Sequence, residues 1–433
     1  FSFYRARCVK AGAAAHTISA ARQREPRLGL TFIPKKDIIR QCLMYTDRPF
    51  CLICKGVAGM QMLVLSSYVV DNAKANVGFN RKFLKLATSC CEKTVFVTSN
   101  YPEELLEGLP GLTVENLPYR WDSSQKKNLP RYFRMQCRAI GHIRRHHTKG
   151  MPVVFWLSGP MILPFLFCKL TGKKTVVFLY GNTRYKQDKP SLYASLISRI
   201  MRFMARHADK IGVETPSVLA QWSLPERCAG KVFDLHLYVD DSGADTVPYE
   251  QRGPVVGMAC RLQGNKHPLE AIEAFHRLRG AFPDWTLEIA GDGPEYERCR
   301  ERVAALGEED RIRMHGWVDN REMASYYGRW RLLLFPSNYE GLPNSVIESL
   351  RCGTPVLASP VGGIPDVIEE GETGWFLPGT TVEAMEAALS GLLKRDDLGD
   401  AGGRAEAFAR KAFSFEDVLK RFRTVFDVDK PAG

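Results

Sequence analysis

The chain reads as an α/β protein, with parallel sheets covered on both faces by helices and arranged in two halves. Three observations predict this. Short apolar runs of strand length alternate with longer helical stretches from residue 62 to the C-terminus. A polar, turn-rich segment at 240–253 interrupts that alternation once, where a linker between domains belongs. The chain has 433 residues, long enough to fill two cores.

The elements follow in order. Residues 1–61 are basic and poor in acid, with 11 Lys/Arg against 3 Asp/Glu, and residues 1–36 show no convincing periodicity. We read 1–61 as a non-native or dispensable leader, with an organelle transit peptide as the alternative. Met62 opens a strand at 62–67. Further strands are expected at 94–98, 153–157, 175–180 and 210–213, with helices between them that include 191–207. Gly150 to Cys168 is uncharged over 19 residues, close to membrane-spanning length. Three prolines and a Ser-Gly-Pro turn break it into a strand, a loop and a buried helix at 162–170 instead.

Residues 129–150 hold six Lys/Arg, three His and no acid. Tyr132, Gln136, Ala139 and Ile143 fall roughly on one face. The segment is either an ordinary packed helix or a basic amphipathic helix lying on an anionic membrane. His142, His146 and His147 read as surface residues. After the linker, strands are expected at 254–259, 286–290, 312–315, 332–335 and 355–358. Helices are expected at 267–281, 294–306, 320–328, 343–352, 382–394, 400–412 and 415–427. The domains are thus 62–240, 241–414, and a terminal segment, 415–433, that returns to the first domain.

Charge divides with the domains. Residues 62–240 carry 26 Lys/Arg and 13 Asp/Glu, whereas residues 241–433 carry 23 and 32. A basic first half facing an anionic membrane or acceptor fits this split. Nucleic acid is not expected, because no nucleic-acid-binding motif accompanies the charge. Twelve scattered cysteines, many beside apolar residues, suggest reduced thiols in a cytosolic protein. Cys51 and Cys54 have CxxC spacing but lack a second ligand pair, which disfavours zinc.

The densest chemistry lies in Ser337-Asn-Tyr-Glu-Gly-Leu-Pro-Asn-Ser-Val-Ile-Glu348. Glu340 and Glu348 are separated by seven residues. A turn at Gly341 and a proline at 343, suited to a first helical position, lead into a helix that should stop at Gly353. Such a loop exposes unpaired backbone amides and suits an anion. If all eight residues were helical, the carboxylates would lie about 12 Å apart, too far for a retaining hydrolase pair at ~5–5.5 Å.

This pattern resembles the retaining glycosyltransferases of family 4, which have the GT-B fold of two Rossmann-like domains facing across a cleft. Further stretches support the resemblance, in the family's order: Gly257–Lys266, Ala290–Pro294, His315–Val318, and the closing loops Ser359–Asp366 and Glu372–Pro378. It implies a transferase with a nucleotide-sugar donor, UDP- or GDP-linked, and a glycan or lipid-linked acceptor. It implies no obligatory metal and no protein nucleophile. It also implies roles. Arg261 and Lys266 would neutralise the leaving phosphates, although in isolation they read as solvated charges. Glu340 would contact the transferring sugar and Glu348 the donor ribose. Gly341, Leu342, Pro343, Asn344 and Ser345 would cradle the distal phosphate.

Val318 would line the base pocket beside Trp317, although Trp317 alone reads as core. Gly291 and Gly293 allow a close approach, but a plain turn explains them almost as well. The first half departs from the family pattern. The stretch after the first strand has only Gly78 where relatives have two glycines. Asn182 stands where many relatives have His, and can donate a hydrogen bond but cannot carry the proton. Arg184 and Lys186 would add positive charge there. Together these features point to a cytoplasmic enzyme, peripheral on the inner face of the membrane.

Overall fold

The structure, a computed structural model, describes residues 60–68, 74–119, 125–181, 192–240 and 247–427. Residues 1–59 of the leader, with Cys51 and Cys54, and Asn182, Arg184 and Lys186 lie outside the described residues, whereas Gln61 at the leader's expected end already belongs to the first strand. The chain divides into two compact units, Phe1–Lys173 and Lys174–Gly433.

The first unit holds strands β1 (Gln61–Tyr68), β2 (Lys93–Ser99), β3 (Leu112–Leu117) and β4 (Val153–Phe155) in the order β3-β2-β1-β4. All their pairings are parallel. Helices α1 (Lys74–Cys90), α2 (Gln125–His146) and α3 (Ile162–Leu170) connect them. The central strands are apolar on both faces and buried, as a parallel sheet requires. Phe83 of α1 stacks on Trp156 just past β4, with ring centroids 4.0 Å apart. In α2 the buried side chains are Asn128, Met135, Gln136, Ala139 and Ile143, while Tyr132 of the expected face is only half-buried. The Gln136 carboxamide oxygen accepts from the Leu163 amide at 3.0 Å and satisfies one orphan donor of α3. His142 and His146 correct an expectation: their side chains are only 18% and 15% exposed, and both face Glu115 of β3.

The second unit opens with β5 (Thr175–Leu179), β6 (Lys210–Val213) and β7 (Val232–Asp234), parallel neighbours in that order. Helices α4 (Leu192–His207) and α5 (Pro216–Ala220) lie between them. A separate six-stranded sheet follows. It contains β8 (Val255–Ala259), β9 (Thr286–Ala290), β10 (Ile312–Gly316), β11 (Leu332–Phe335), β12 (Val356–Ala358) and β13 (Gly374–Phe376). Their order is β10-β9-β8-β11-β12-β13, and every pairing is parallel. The side-chain period of two splits each strand between two cores. Leu332 and Leu334 of β11 face one core, Leu333 and Phe335 the other.

Helices α6 (Pro268–Arg277), α7 (Tyr296–Leu306), α8 (Asn320–Tyr327), α9 (Asn344–Arg351), α10 (Val382–Leu392), α11 (Leu398–Ala412) and α12 (Phe415–Val425) complete the unit. α12 reaches back to the β6–β7 region. Phe426 packs on Phe233 at 6.0 Å, Arg421 lies 2.7 Å from His236, and Lys210 pairs with Asp427 at 2.7 Å. Among the described residues no helix is long and apolar enough to cross a membrane. No disulfide joins any of the eight described cysteines.

Candidate donor-binding site

The strand order of the six-stranded sheet reverses once, between β8 and β11. An open parallel sheet leaves a crevice at the carboxyl ends of the strands flanking such a reversal. The β8 loop carries Arg261 and Lys266, and the β11 loop carries Glu340. Topology alone therefore brings together residues about 75 positions apart.

Backbone bonds stitch these loops. The Asn338 amide donates to the Asn265 carbonyl at 3.0 Å, and His267 Nε2 lies 2.8 Å from Asn338 Oδ1. Lys266 Nζ contacts Glu340 Oε1 directly, with both side chains sheltered at 11% and 14% exposure. The ammonium also sits over the Phe335 ring, 4.6 Å from its centroid. One sheltered cation thus holds the loop carboxylate in place. Arg261 is exposed beside it and offers a planar fork of donors.

The β11 loop is fixed from the other side by a residue that motif reading missed. Glu214, just past β6, accepts the Leu342 amide at 3.2 Å. A Cβ on Gly341 would lie 2.4 Å from Glu214 Oε2, so a side chain at 341 would push that carboxylate aside. Gln221 donates to the Glu340 carbonyl at 3.1 Å, and Gly363 donates to the Gly341 carbonyl at 2.7 Å. Gly181, next to Asn182, packs so close that its Cβ would be 3.0 Å from the Glu340 carbonyl oxygen. Glu214 keeps a fraction of its surface open. Even so, the protein packed around it pushes its carboxyl up to about 7, the Leu342 amide working against this and Glu340 adding to it. The signal in the sequence was a lone carboxylate at a strand's carboxyl end.

The helix start differs in detail from expectation. Pro343 is the residue before α9, extended at φ −75° and ψ 126°, rather than its first helical residue. Pro343 has no N–H, and the Leu342 amide is engaged by Glu214. Of the expected cradle, the α9 amides of Asn344 and Ser345 remain available to an anion. Only the second half of the span from Glu340 to Glu348 is helical, so its length cannot be taken from helical rise. The two carboxylates instead have different partners. Glu348 and Ser345 both hydrogen-bond the Tyr327 hydroxyl, whose pKa burial pushes well above the usual value.

The remaining expected residues are distributed as follows. Gly291 follows β9, where a Cβ would lie 1.9 Å from the Cys260 carbonyl oxygen, and its amide donates to Gly316 at 2.7 Å. Close backbone approach, rather than a plain turn, explains this glycine. Val318 is half-buried against the core after β10. Trp317 is 60% exposed, correcting its reading as core. Gly78 lies exposed inside α1, with nothing within 4 Å of where a Cβ would stand, so it is not the loop glycine expected there. The Cys260 thiol is pushed up to about 12 by burial and stays protonated.

Comparison with known proteins agrees with this geometry. Residues 247–412 match the family described as Glycosyl transferases group 1. Over 186 residues it is 30% identical to the 2-deoxystreptamine glucosyltransferase of Streptomyces kanamyceticus, covering 40% of this chain and 48% of that one. Over 163 residues it is 31% identical to the N-acetyl-alpha-D-glucosaminyl L-malate synthase of Bacillus anthracis, covering 37% and 42%. The chain thus spans less than half the length of these curated relatives. Among solved structures, Anabaena HepE in complex with UDP aligns with a TM-score of 0.66 at 14% identity, covering 84% of this chain and 99% of that one. The sucrose-phosphate synthase of Thermosynechococcus elongatus aligns at 0.63 and 18% identity, covering 85% and 98%. The fold is therefore GT-B, two Rossmann-like α/β domains.

Proposed function

We propose that the chain is a retaining glycosyltransferase. It moves a hexose-type sugar from a nucleotide diphosphate donor, UDP- or GDP-linked, to a glycan or lipid-linked acceptor in cell-envelope polysaccharide or glycolipid synthesis. The observation that carries this reading is the Lys266–Glu340 contact at the β8/β11 crevice, beside the open amides of α9. Transfer needs a neutralised leaving diphosphate, an oriented sugar and tolerance of developing positive charge. Arg261, Lys266 and the Asn344 and Ser345 amides supply the first. Glu340, held by Lys266 and by backbone bonds, supplies the second and third. Glu348, oriented by Tyr327, would take the ribose. Residues 62–240 would receive the acceptor, 241–414 the donor, and 415–433 would return to the first domain. The Anabaena neighbour was solved with UDP and with UDP-glucose, which favours a uridine donor as the first to test. The alternatives are a catalytically silent nucleotide-sugar-binding protein, and another GT-B activity such as an epimerase or a glycogen-synthase-like polymerase.

The test is thermal stability against UDP, GDP, ADP and their sugar conjugates. A ligand at 100 times its dissociation constant adds about 2.7 kcal/mol. One nucleotide should raise the midpoint, and Arg261→Ala should abolish that rise. Glu340→Ala should keep nucleotide binding and lose sugar transfer. A folded protein that responds to none of these ligands refutes the donor site. Transfer that survives in Glu340→Ala refutes its role.

A further inference from the structure

A second cluster of chemistry-bearing side chains lies wholly within the first unit. Glu115 sits in β3, the edge strand, where it pairs with Val97 of β2. His142 and His146 are one turn apart in α2 and present the same face. Their rings are nearly parallel, with planes 3° apart and centroids 6.4 Å apart. His146 Nε2 lies 2.5 Å from Glu115 Oε1, and His142 Nδ1 lies 3.0 Å from Oε2. The His142 nitrogen is shut away from solvent, yet it lacks the alignment of a hydrogen bond. All three candidate donor atoms lie within 4.8 Å of one another. The side chains are 21%, 18% and 15% exposed, sheltered but reachable.

We propose that Glu115, His142 and His146 bind a late first-row divalent cation of the zinc class, clasping the end of α2 to the edge strand. Two imidazoles and one carboxylate are a recognised zinc donor set. With bonds of about 2.0–2.1 Å, tetrahedral ligand atoms stand roughly 3.3 Å apart. The two histidine–carboxylate distances, 2.5 and 3.0 Å, lie a little below that value and all three atoms fall within 4.8 Å, so small side-chain movements suffice. A fourth position stays open to water. Imidazole donors disfavour magnesium and calcium. The competing cation is Arg145, whose Nη1 lies 3.9 Å from Glu115 Oε1. Its side chain is 69% exposed, so it can turn to solvent when a metal enters. The site would also guard a sheet edge, which otherwise presents unpaired backbone groups.

The experiment titrates ZnCl2, with MgCl2 as control, into the full chain after chelation and dialysis, followed by calorimetry and thermal melting. One equivalent of Zn2+ should bind and raise the melting midpoint, whereas Mg2+ should do neither. The cobalt-loaded protein should show visible d–d absorption without a thiolate charge-transfer band, which separates this site from any cysteine site. Affinity should fall at least tenfold in Glu115→Gln, which preserves side-chain shape and fold. It should be lost in the His142→Ala/His146→Ala double variant, with circular dichroism reporting its folding. If the double variant does not fold, Glu115→Gln decides. No saturable Zn2+ binding, binding unchanged in Glu115→Gln, or a thiolate band would each overturn the proposal.

Discussion

At the scale of single residues, Glu214 controls the loop that carries Glu340, and it reaches that loop from 128 positions away. Its carboxyl is pushed up to about 7 by the protein around it. An acid raised above its unfolded value is stabilising while protonated. That contribution is complete below about 4.5 and is lost as pH rises through 7. Glu214→Gln mimics the protonated form and can still accept the Leu342 amide. It should therefore lie close to the wild type at pH 5 and melt clearly higher at pH 8, by about 2 kcal/mol once the part that water reaches is discounted. Melting curves of the two proteins that stay parallel from pH 5 to 8 would refute this. The motif residues stand out in the sequence because Glu340, Arg261 and Lys266 follow strands and Glu348 stands eight residues past Glu340 within a short helix. Glu214 was not legible as a site residue. Nothing local to Val213-Glu214-Thr215 tells which distant loop it meets.

At the scale of elements, α9 shows how a short helix holds the site. Its C-terminus closes in a Schellman arrangement. The Thr354 amide donates to the Ser349 carbonyl at 3.0 Å and the Gly353 amide to Leu350 at 3.0 Å, with Gly353 left-handed at φ +68°. Arg252, 7% exposed, then collects the remaining acceptors. It donates to the carbonyls of Cys352 at 2.8 Å, Gly353 at 3.1 Å and Trp330 at 2.9 Å, and to Thr354 Oγ1 at 2.7 Å. Arg252→Ala strands these groups and should cost about 3 kcal/mol. Arg252→Lys keeps the charge but loses the fork and should fall between. Denaturant unfolding of both variants measures this; a loss below about 1 kcal/mol in the alanine variant would refute it. Glycine at 353 made the stop readable in sequence, whereas Arg252 reads as an ordinary linker charge. The strands not foreseen were β3, β7 and β13. Each lies at an end of its run in the sheet order. β3 is half polar and only half-buried along most of its length, and the other two span three residues each. End strands carry a weaker apolar pattern than the buried strands between them, and that pattern is the signal from which strands are read.

At the scale of the whole molecule, the fold was readable because helix and strand periods alternate along the chain. The charge split adds a functional consequence. Residues 62–240 have twice as many basic as acidic side chains, and the order reverses after 241. Within the first unit, α2 and α3 leave Leu129, Phe133, Leu166 and Leu170 exposed at 74%, 56%, 38% and 86%. Arg134 and Arg138 are exposed along α2. Basic and apolar side chains on one pair of packed helices suit the interface of an anionic bilayer, where a lipid-linked acceptor would lie. Each Lys or Arg near such a surface contributes about 1 kcal/mol. Removing Arg131, Arg134 and Arg138 together, as glutamines, should therefore weaken binding to anionic vesicles about a hundredfold. Raising the salt should weaken the wild type in the same direction. Leu129→Ser/Phe133→Ser should weaken binding at every salt concentration, since the apolar contribution is unscreened. Vesicle flotation of the full chain measures all three. Equal binding to zwitterionic and anionic vesicles would refute the electrostatic contribution. Unchanged binding by the double serine variant would place the contact elsewhere and leave these apolar side chains to another role.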